Sequence, residues 1–313
     1  MSILSLCHQI ERRKSMNGVL PLKKPAGMTS HDCVAITRKL LHTKKVGHTG
    51  TLDPDVTGVL PLCIGRATKV AQYMTDFSKT YEAVITLGFS TTTEDASGDK
   101  VDEKNVEKIP SIPEIEEALE TFRGTIEQVP PMYSAVKING KKLYEYAFKG
   151  EVVERPSRKV TIHELERIGE VTKDDGTVSI PVRVTCSKGT YIRTLAVDIG
   201  EHLGYPAHMS FLIRTASGPF KLEECLTFDE IKQMIEDETL SLFPMESALS
   251  AMPSLTVEPE LEAKLQNGAV LPQVDEMTED RLVMYNKDGE AIAIYQKHPE
   301  KPGLMKPEKV FSR

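Results

Sequence analysis

Thirteen consecutive residues carry most of the groups on this chain that could act together chemically: Val46-Gly47-His48-Thr49-Gly50-Thr51-Leu52-Asp53-Pro54-Asp55-Val56-Thr57-Gly58. Three glycines permit backbone shapes and close approaches denied to other residues, and Pro54 fixes the torsion just after Asp53. The stretch therefore reads as a built loop that presents the Asp53 carboxylate from a stiff turn, with Asp55 assigned to stabilising that turn. The same residue types also make an ordinary surface turn. The surrounding sequence favours the chemical reading.

The positioning elements can be read from periodicity. Ser30 is placed to cap a helix from about His31 to Leu41, which delivers the chain to the loop. Gly58 to Ile64 is apolar, and Ala67 to Met74 begins a short helix. Tyr81 to Leu87 alternates as a half-buried strand that starts at Tyr81. Ile112, Ile115, Leu119 and Phe122 fall at helical spacing behind Ser111 and Pro113. Val129 to Lys159 forms a basic, tyrosine-bearing arm with a hairpin turn at Asn139-Gly140. Ile180, Val182, Val184 and Cys186 alternate as a strand, and Lys188 to Arg193 leads into a helix with Ile192, Leu195, Ala196, Ile199 and Leu203 inward. Arg193 thus stands at a strand-to-helix junction. From Ala248 to Arg313 short β runs flank an Asp288-Gly289 turn and suggest a small β domain.

The chain has 313 residues and a net charge of −7, but charge is segregated. From Arg12 to His48 nine Lys/Arg face one acid, Asp32, and from Arg123 to Val160 eight basic residues face four acidic ones. The acidic stretches Glu94 to Glu120 and Glu223 to Asp280 are read as solvated faces. The basic segments flank the loop, as an RNA-backbone groove beside an active site requires. Five scattered cysteines, with no CxxC and no metal-ligand spacing, point to neither disulfides nor structural zinc. No apolar run is long enough to span a membrane and residues 1–15 have the wrong order for a secretory signal, so a cytoplasmic protein with a short N-terminal extension is expected.

Six segments then carry a family resemblance: LKKPAGMTSHD (22–32), GHTGTLDPDVTGVLP (47–61), KTYEAVI (79–85), PPMYSAVKINGKKLYEYA (130–147), SKGTYIRTLA (187–196) and RTASGPF (214–220). In this order they resemble the TruB type of tRNA pseudouridine synthase, from Met16 onward. The resemblance implies a mixed α/β (α+β) pseudouridine synthase domain over 16–247 with a central mixed or antiparallel sheet and an inserted thumb at about 129–159. It also implies a PUA-like β-barrel over 248–313. The expected activity is isomerisation of uridine-55 in the T arm of elongator tRNAs by base flipping, without metal or cofactor, by a monomer that also assists tRNA folding.

Carried over by position, the resemblance makes Asp53 the catalytic aspartate, Arg193 its partner and Tyr81 the uracil-packing tyrosine. Tyr191, Leu212 and His48 become substrate-binding residues, His48 filling the space left by the flipped base from a glycine-flanked tip. Lys23 and Lys24 would contact phosphates. Asp53 must be ionised, and a guanidinium at pairing distance would hold its pKa down. Two other readings stand beside this one. Asp53-Pro54-Asp55-Val56-Thr57 fits the DxDxT pattern of Mg²⁺-dependent phosphotransferases of the haloacid-dehalogenase type, although that pattern needs a hydrophobic strand ending at the first Asp. A non-catalytic RNA-binding or RNA-folding protein would use the same groove.

Overall fold

A computed structural model describes residues 16–311. The expected extension at 1–15 lies outside the described residues. The main element is a ten-stranded sheet, and its path of seven strands runs Gly18–Lys24, Thr57–Ile64, Ala207–Ser217, Lys79–Leu87, Thr177–Cys186, Arg158–Arg167, Gly124–Gln128. Neighbours are antiparallel except at one junction, where Thr57–Ile64 and Ala207–Ser217 run parallel with Ile213 opposite Thr57 and Arg214 opposite Gly58. The sheet is thus mixed, as expected. The Asp53 loop feeds directly into that parallel junction.

Alternation explains why these strands read as they do. Leu20, Leu22, Leu60, Leu62 and Ile64 pack under the helices Ser30–Leu40 and Phe228–Glu236, while Val19, Val59 and Cys63 face the other side. With both faces covered, Gly58 to Ile64 has no polar side to show and its apolar run is continuous. A second core lies under the helices Ile112–Thr121 and Ile192–His202, where Ile115, Leu119, Leu195 and Ile199 meet Ile85, Ile180, Val182 and Val184.

The helix Ser30–Leu40 is capped by Thr29, one residue before the expected cap, with Asp32 closing a reciprocal capping box. Ser30 is thereby freed for another task, described below. Tyr81 is the third residue of its strand, which begins at Lys79. The arm leaves the sheet between Gln128 and Arg158 and carries the expected hairpin, Lys137–Ile138 paired with Lys141–Lys142, then a short helix, Leu143–Ala147. Asn139 and Gly140 both take positive φ, as a two-residue hairpin turn requires.

The C-terminal strands form a separate five-stranded sheet in the order Ser254–Thr256, Arg281–Tyr285, Ala291–Lys297, Leu304–Val310, Leu271–Pro272. Met245, Ala248 and Leu249 sit between the two sheets, against Val19, Val59 and Cys63 on one side and Val283, Ala291, Ile294 and Phe311 on the other. The two sheets therefore share a core at residue 248. No helix among the described residues is long and apolar enough to cross a membrane.

Candidate active site

The loop from Thr49 to Val56 has no regular structure and is held from three sides. From below, the Lys24 ammonium, fully buried, donates to the carbonyls of Pro25, Pro54 and Val56 at 3.0, 2.8 and 2.8 Å. From the helix start, the Ser30 hydroxyl accepts from the Leu52 amide at 3.0 Å. From the sheet, buried Arg214 donates through Nε to the Val59 carbonyl at 2.7 Å and through Nη2 to the Gly50 carbonyl at 3.3 Å. Gly58 lets Arg214 come this close: its φ is +110°, and a Cβ there would stand 2.1 Å from the Arg214 carbonyl oxygen. Asp55 is exposed, so the turn is stabilised by Lys24 and not by the Asp55 side chain. Lys24 is accordingly closed to phosphate, and of the two neighbouring lysines only Lys23 faces solvent.

Asp53 stands at the floor of a cleft of about 600 Å³. Its Oδ2 lies 3.0 Å from Nη2 of Arg193, whose side chain is 5 % exposed against 46 % for Asp53. Arg193, the second residue of its helix, is fixed by more than the aspartate. It donates to the Thr93 carbonyl at 3.0 Å and to the Tyr133 carbonyl, at the base of the arm, at 2.9 Å, and its Nη1 is 3.6 Å from Asp95 Oδ2. One guanidinium therefore ties together the loop, the arm and the turn at 93–95.

That turn corrects the reading of the Glu94 to Glu120 block as a solvated face. Asp95 is held by the Thr93 and Ser97 hydroxyls, both at 2.6 Å, and Glu94, at φ +63°, accepts from the Thr194 hydroxyl at 2.6 Å. Its first two acids face inward to the site. Nothing in the local composition marks them as inward-facing, because Arg193 and Thr194, which tie them to the site, lie about a hundred residues away.

The electrostatics also differ from expectation. Arg193 and Lys24 do pull the Asp53 carboxyl down, but withdrawal from bulk water outweighs them and Asp95 adds to it, so its pKa is raised above the ordinary aspartate value. Water still reaches the group from the open side of the cleft, consistent with its partial exposure. Burial likewise raises the Tyr81 phenol, against the opposing influence of Arg214, which lies opposite Tyr81 across the strand pair. The Tyr81 ring is thus a neutral face on the cleft wall.

Tyr191 and Leu212 line the same cleft. Tyr191 is anchored by Gln128, which exchanges two hydrogen bonds with its backbone at 2.9 and 2.8 Å, and its ring carries the Arg158 guanidinium 4.7 Å above it. Arg158 Nε and Nη2 are buried without a hydrogen-bond partner, so this stacked cation has donors to spare for an anion. Lys79 also lines the cleft, its ammonium on the Thr75 and Phe77 carbonyls at 2.7 Å each and its pKa lowered by burial to about 8. His48 ends a short strand opposite Leu62 instead of crowning a loop tip. Its Nδ1 accepts from the Gly50 amide at 3.4 Å, its ring stands edge-on to His31, and burial lowers its pKa. The structure thus brings Asp53, Arg193, Tyr81, Tyr191 and Leu212 to one cleft. The sequence reading gives Arg214, Asp95 and Lys79 no role in the site, and Ser30 only that of a helix cap. Three of them had a sequence signal: Ser30 lies within LKKPAGMTSHD, and Lys79 and Arg214 head KTYEAVI and RTASGPF.

A mixed sheet with an inserted arm thus holds a carboxylate–guanidinium pair in a cleft lined by basic residues, an arrangement of the kind that suits enzymes acting on a polyanion. This chain belongs to the TruB family of pseudouridylate synthases. Residues 38–192 match the profile of the TruB family pseudouridylate synthase N-terminal domain, and 193–250 that of the tRNA pseudouridylate synthase B C-terminal domain. The seam falls between Ile192 and Arg193, so the 3.0 Å ion pair joins the two matched segments. The chain is 58% identical over 304 residues to the tRNA pseudouridine synthase B of Bacillus pumilus, covering 95% of this chain and 98% of that protein. It is 56% identical over 299 residues to the protein of the same name from Halalkalibacterium halodurans, covering 95% and 98%. Among solved structures it is similar to a chain of a Cbf5-Nop10-Gar1 complex, with a TM-score of 0.73 and 30% identity over 97% of this chain and 87% of that one. It is also similar to a chain of an H/ACA RNP bound to a substrate RNA containing 2'-deoxyuridine, with a TM-score of 0.70 and 26% identity over 98% and 87%. Membership of this family displaces the phosphotransferase reading, and so does the local fold: the strand before Asp53 ends at His48, five residues early.

Proposed function

We propose that this protein isomerises uridine-55 in the T arm of elongator tRNAs to pseudouridine, as a cytoplasmic monomer that needs neither metal nor cofactor. The glycosidic bond from N1 breaks, the base turns, and carbon 5 bonds to the sugar while its proton leaves and N1 gains one, so atoms and charge balance within one nucleotide. Asp53 is the catalytic carboxylate. Arg193 orients it, Tyr81 stacks on the extruded uracil, and Tyr191 and Leu212 complete the pocket. Arg158 and Lys23 meet phosphates, and His48 supports the loop beside the vacated base position. The nucleotide must first be flipped out of its stack, at a cost of a few kcal/mol. The 248–313 segment is assigned to a PUA-like RNA-binding module and 16–247 to catalysis.

The observation that carries this reading is the Asp53–Arg193 pair at 3.0 Å on the floor of a cleft in a chain so similar to proteins named tRNA pseudouridine synthase B. The similar H/ACA RNP, bound to a substrate RNA containing a deoxyuridine, supports an RNA substrate. The test is pseudouridine mapping in an unmodified tRNA transcript before and after incubation with the purified protein. Asp53→Asn is expected to bind the transcript and release no tritium from uridine labelled at carbon 5. Native release by that variant would remove Asp53 from the chemistry, and binding without conversion by the native protein would leave an RNA-folding protein.

A further inference from the structure

Between the strands Thr57–Ile64 and Lys79–Leu87 the chain runs through residues 65–78, a strap that contains two short helical turns, Gly65–Lys69 and Ala71–Met74. One side of the strap is buried against the C-terminal sheet. Val70, Tyr73 and Met74 share a core with Val283, Ala291 and Ile294, and Nη2 of Arg66 donates to the Phe311 carbonyl at 3.1 Å. The far end of the strap opens on the Asp53 cleft, where Thr75 and Lys79 are wall residues. The C-terminal sheet therefore grips the same short segment that finishes in the site.

Polar contacts follow the same route. Arg281, on the C-terminal sheet, donates to Glu308 through Nε and Nη2 at 2.7 and 3.2 Å, a two-point grip that fixes the plane of its guanidinium. Its Cζ lies 5.6 Å from the centre of the Tyr73 ring, and Tyr73 is buried. Asp76, three residues on, acts on the same guanidinium through its charge and is paired with Lys188, another residue of the cleft wall. The Thr75 and Phe77 carbonyls both accept from the Lys79 ammonium at 2.7 Å, and the Phe77 ring is lodged against Gly218, where a Cβ would stand 2.2 Å from it. Lys79 and Tyr81 are two residues apart on one strand and share a face of it. A shift of the strap would reach both of them.

We propose that Arg281 is a positioning residue for the active site: gripped by Glu308 and seated on Tyr73, it braces the strap so that Lys79, Lys188 and the Tyr81 ring are held in place around the target nucleotide. The inference rests on the RNA-uridine reading above. It gives the C-terminal sheet a part in turnover that is separate from any RNA contact of its own.

The test compares the native protein with Arg281→Ala, Arg281→Lys, Tyr73→Leu and the double variant in three measurements: single-turnover conversion of a T-arm hairpin RNA at saturating protein, filter binding of that RNA across salt concentrations, and amide hydrogen exchange over residues 75–79. Conversion by the native protein tests the proposed function by itself, and the exchange measurement reads the brace without it. The Arg281 side chain is 43% exposed, so its removal leaves the fold intact. A misplacement of about 1 Å costs about a hundredfold in rate, and the smaller shift of a loosened strap is expected to slow conversion by Arg281→Ala about tenfold, with affinity and salt slope unchanged. Exchange at Asp76 and Phe77 should quicken about tenfold in the same variant. Arg281→Lys keeps a cation on the ring and should recover most of both. Tyr73→Leu, buried out of reach of RNA, should reproduce the loss, and the double variant should add nothing to it. Glu308→Gln, which loosens the grip on Arg281, replaces Tyr73→Leu if that variant does not fold. Native conversion or native exchange in Arg281→Ala would overturn the proposal. So would losses that multiply in the double variant, or an affinity that falls with a salt slope lowered by about one, the mark of a phosphate contact.

Discussion

Arg193→Ala removes a guanidinium that is 5% exposed and has four partners: the carboxylates of Asp53 and Asp95 and the carbonyls of Thr93 and Tyr133. Breaking a buried charge pair typically costs about 3–5 kcal/mol. Asp53 is half-exposed and can rehydrate, so the low end, about 3 kcal/mol, is expected as a drop in urea stability. Turnover should fall further, by at least about a hundredfold, because the carboxylate loses its fixed direction. The pH profile separates this from simple loosening. If Asp53 acts as the proposed carboxylate, activity is expected to rise with pH through its raised pKa, and Arg193 is the largest influence holding that pKa down. Its removal must move the acid limb to higher pH. Arg193→Lys keeps the charge but not the fork, so turnover should drop with the limb nearly in place. Single-turnover tritium release across pH, with filter binding of the same tRNA, reads all of these. An unmoved limb in Arg193→Ala, or affinity lost in step with turnover, would refute the reasoning.

Lys23→Ala is expected to lower the slope of log affinity against log salt by about one, the loss of one phosphate contact, whereas Lys24→Met should leave the slope unchanged and reduce turnover. Equal slopes for the two variants would contradict the burial argument. Gly58→Ala, which forces a Cβ against the Arg214 backbone at positive φ, should destabilise by about 3 kcal/mol or more and show as a lowered urea midpoint. Asp198, raised by burial and by Glu201 and Glu94 to about 6, binds its proton more tightly folded than unfolded. Its stabilising influence is complete below the unfolded pKa and lost as pH rises through about 6. Asp198→Asn should therefore flatten stability over that window and raise the melting temperature at neutral pH by on the order of 2 °C. A melting temperature that falls at neutral pH would reverse that sign.

Local patterns were legible wherever one stretch of chain carried its own reason. The alternation from Ile180 to Cys186, the Ser111 cap with Pro113 behind it and the Asn139-Gly140 hairpin each follow from side-chain period or torsional preference, and each formed. The reactive loop was legible for the same reason, since Gly58, Pro54 and Asp53 concentrate special backbone and charge in a few residues. The helix start was misread by one position because both Thr29 and Ser30 can cap, and only the Asp32 box decides between them.

Composition and spacing by themselves singled out Asp53 as the candidate carboxylate and marked which segments would be strands and helices around it. The tertiary fold decided what that carboxylate experiences. The parallel junction between Thr57–Ile64 and Ala207–Ser217 brings Arg214 to the loop, and the turn at 93–95 brings a second acid to Arg193. Whether Lys24 meets phosphate or its own backbone, and whether Asp53 is raised or lowered, depends on how much water remains after those distant segments close in. Desolvation is a property of enclosure in three dimensions, which no spacing along the chain encodes.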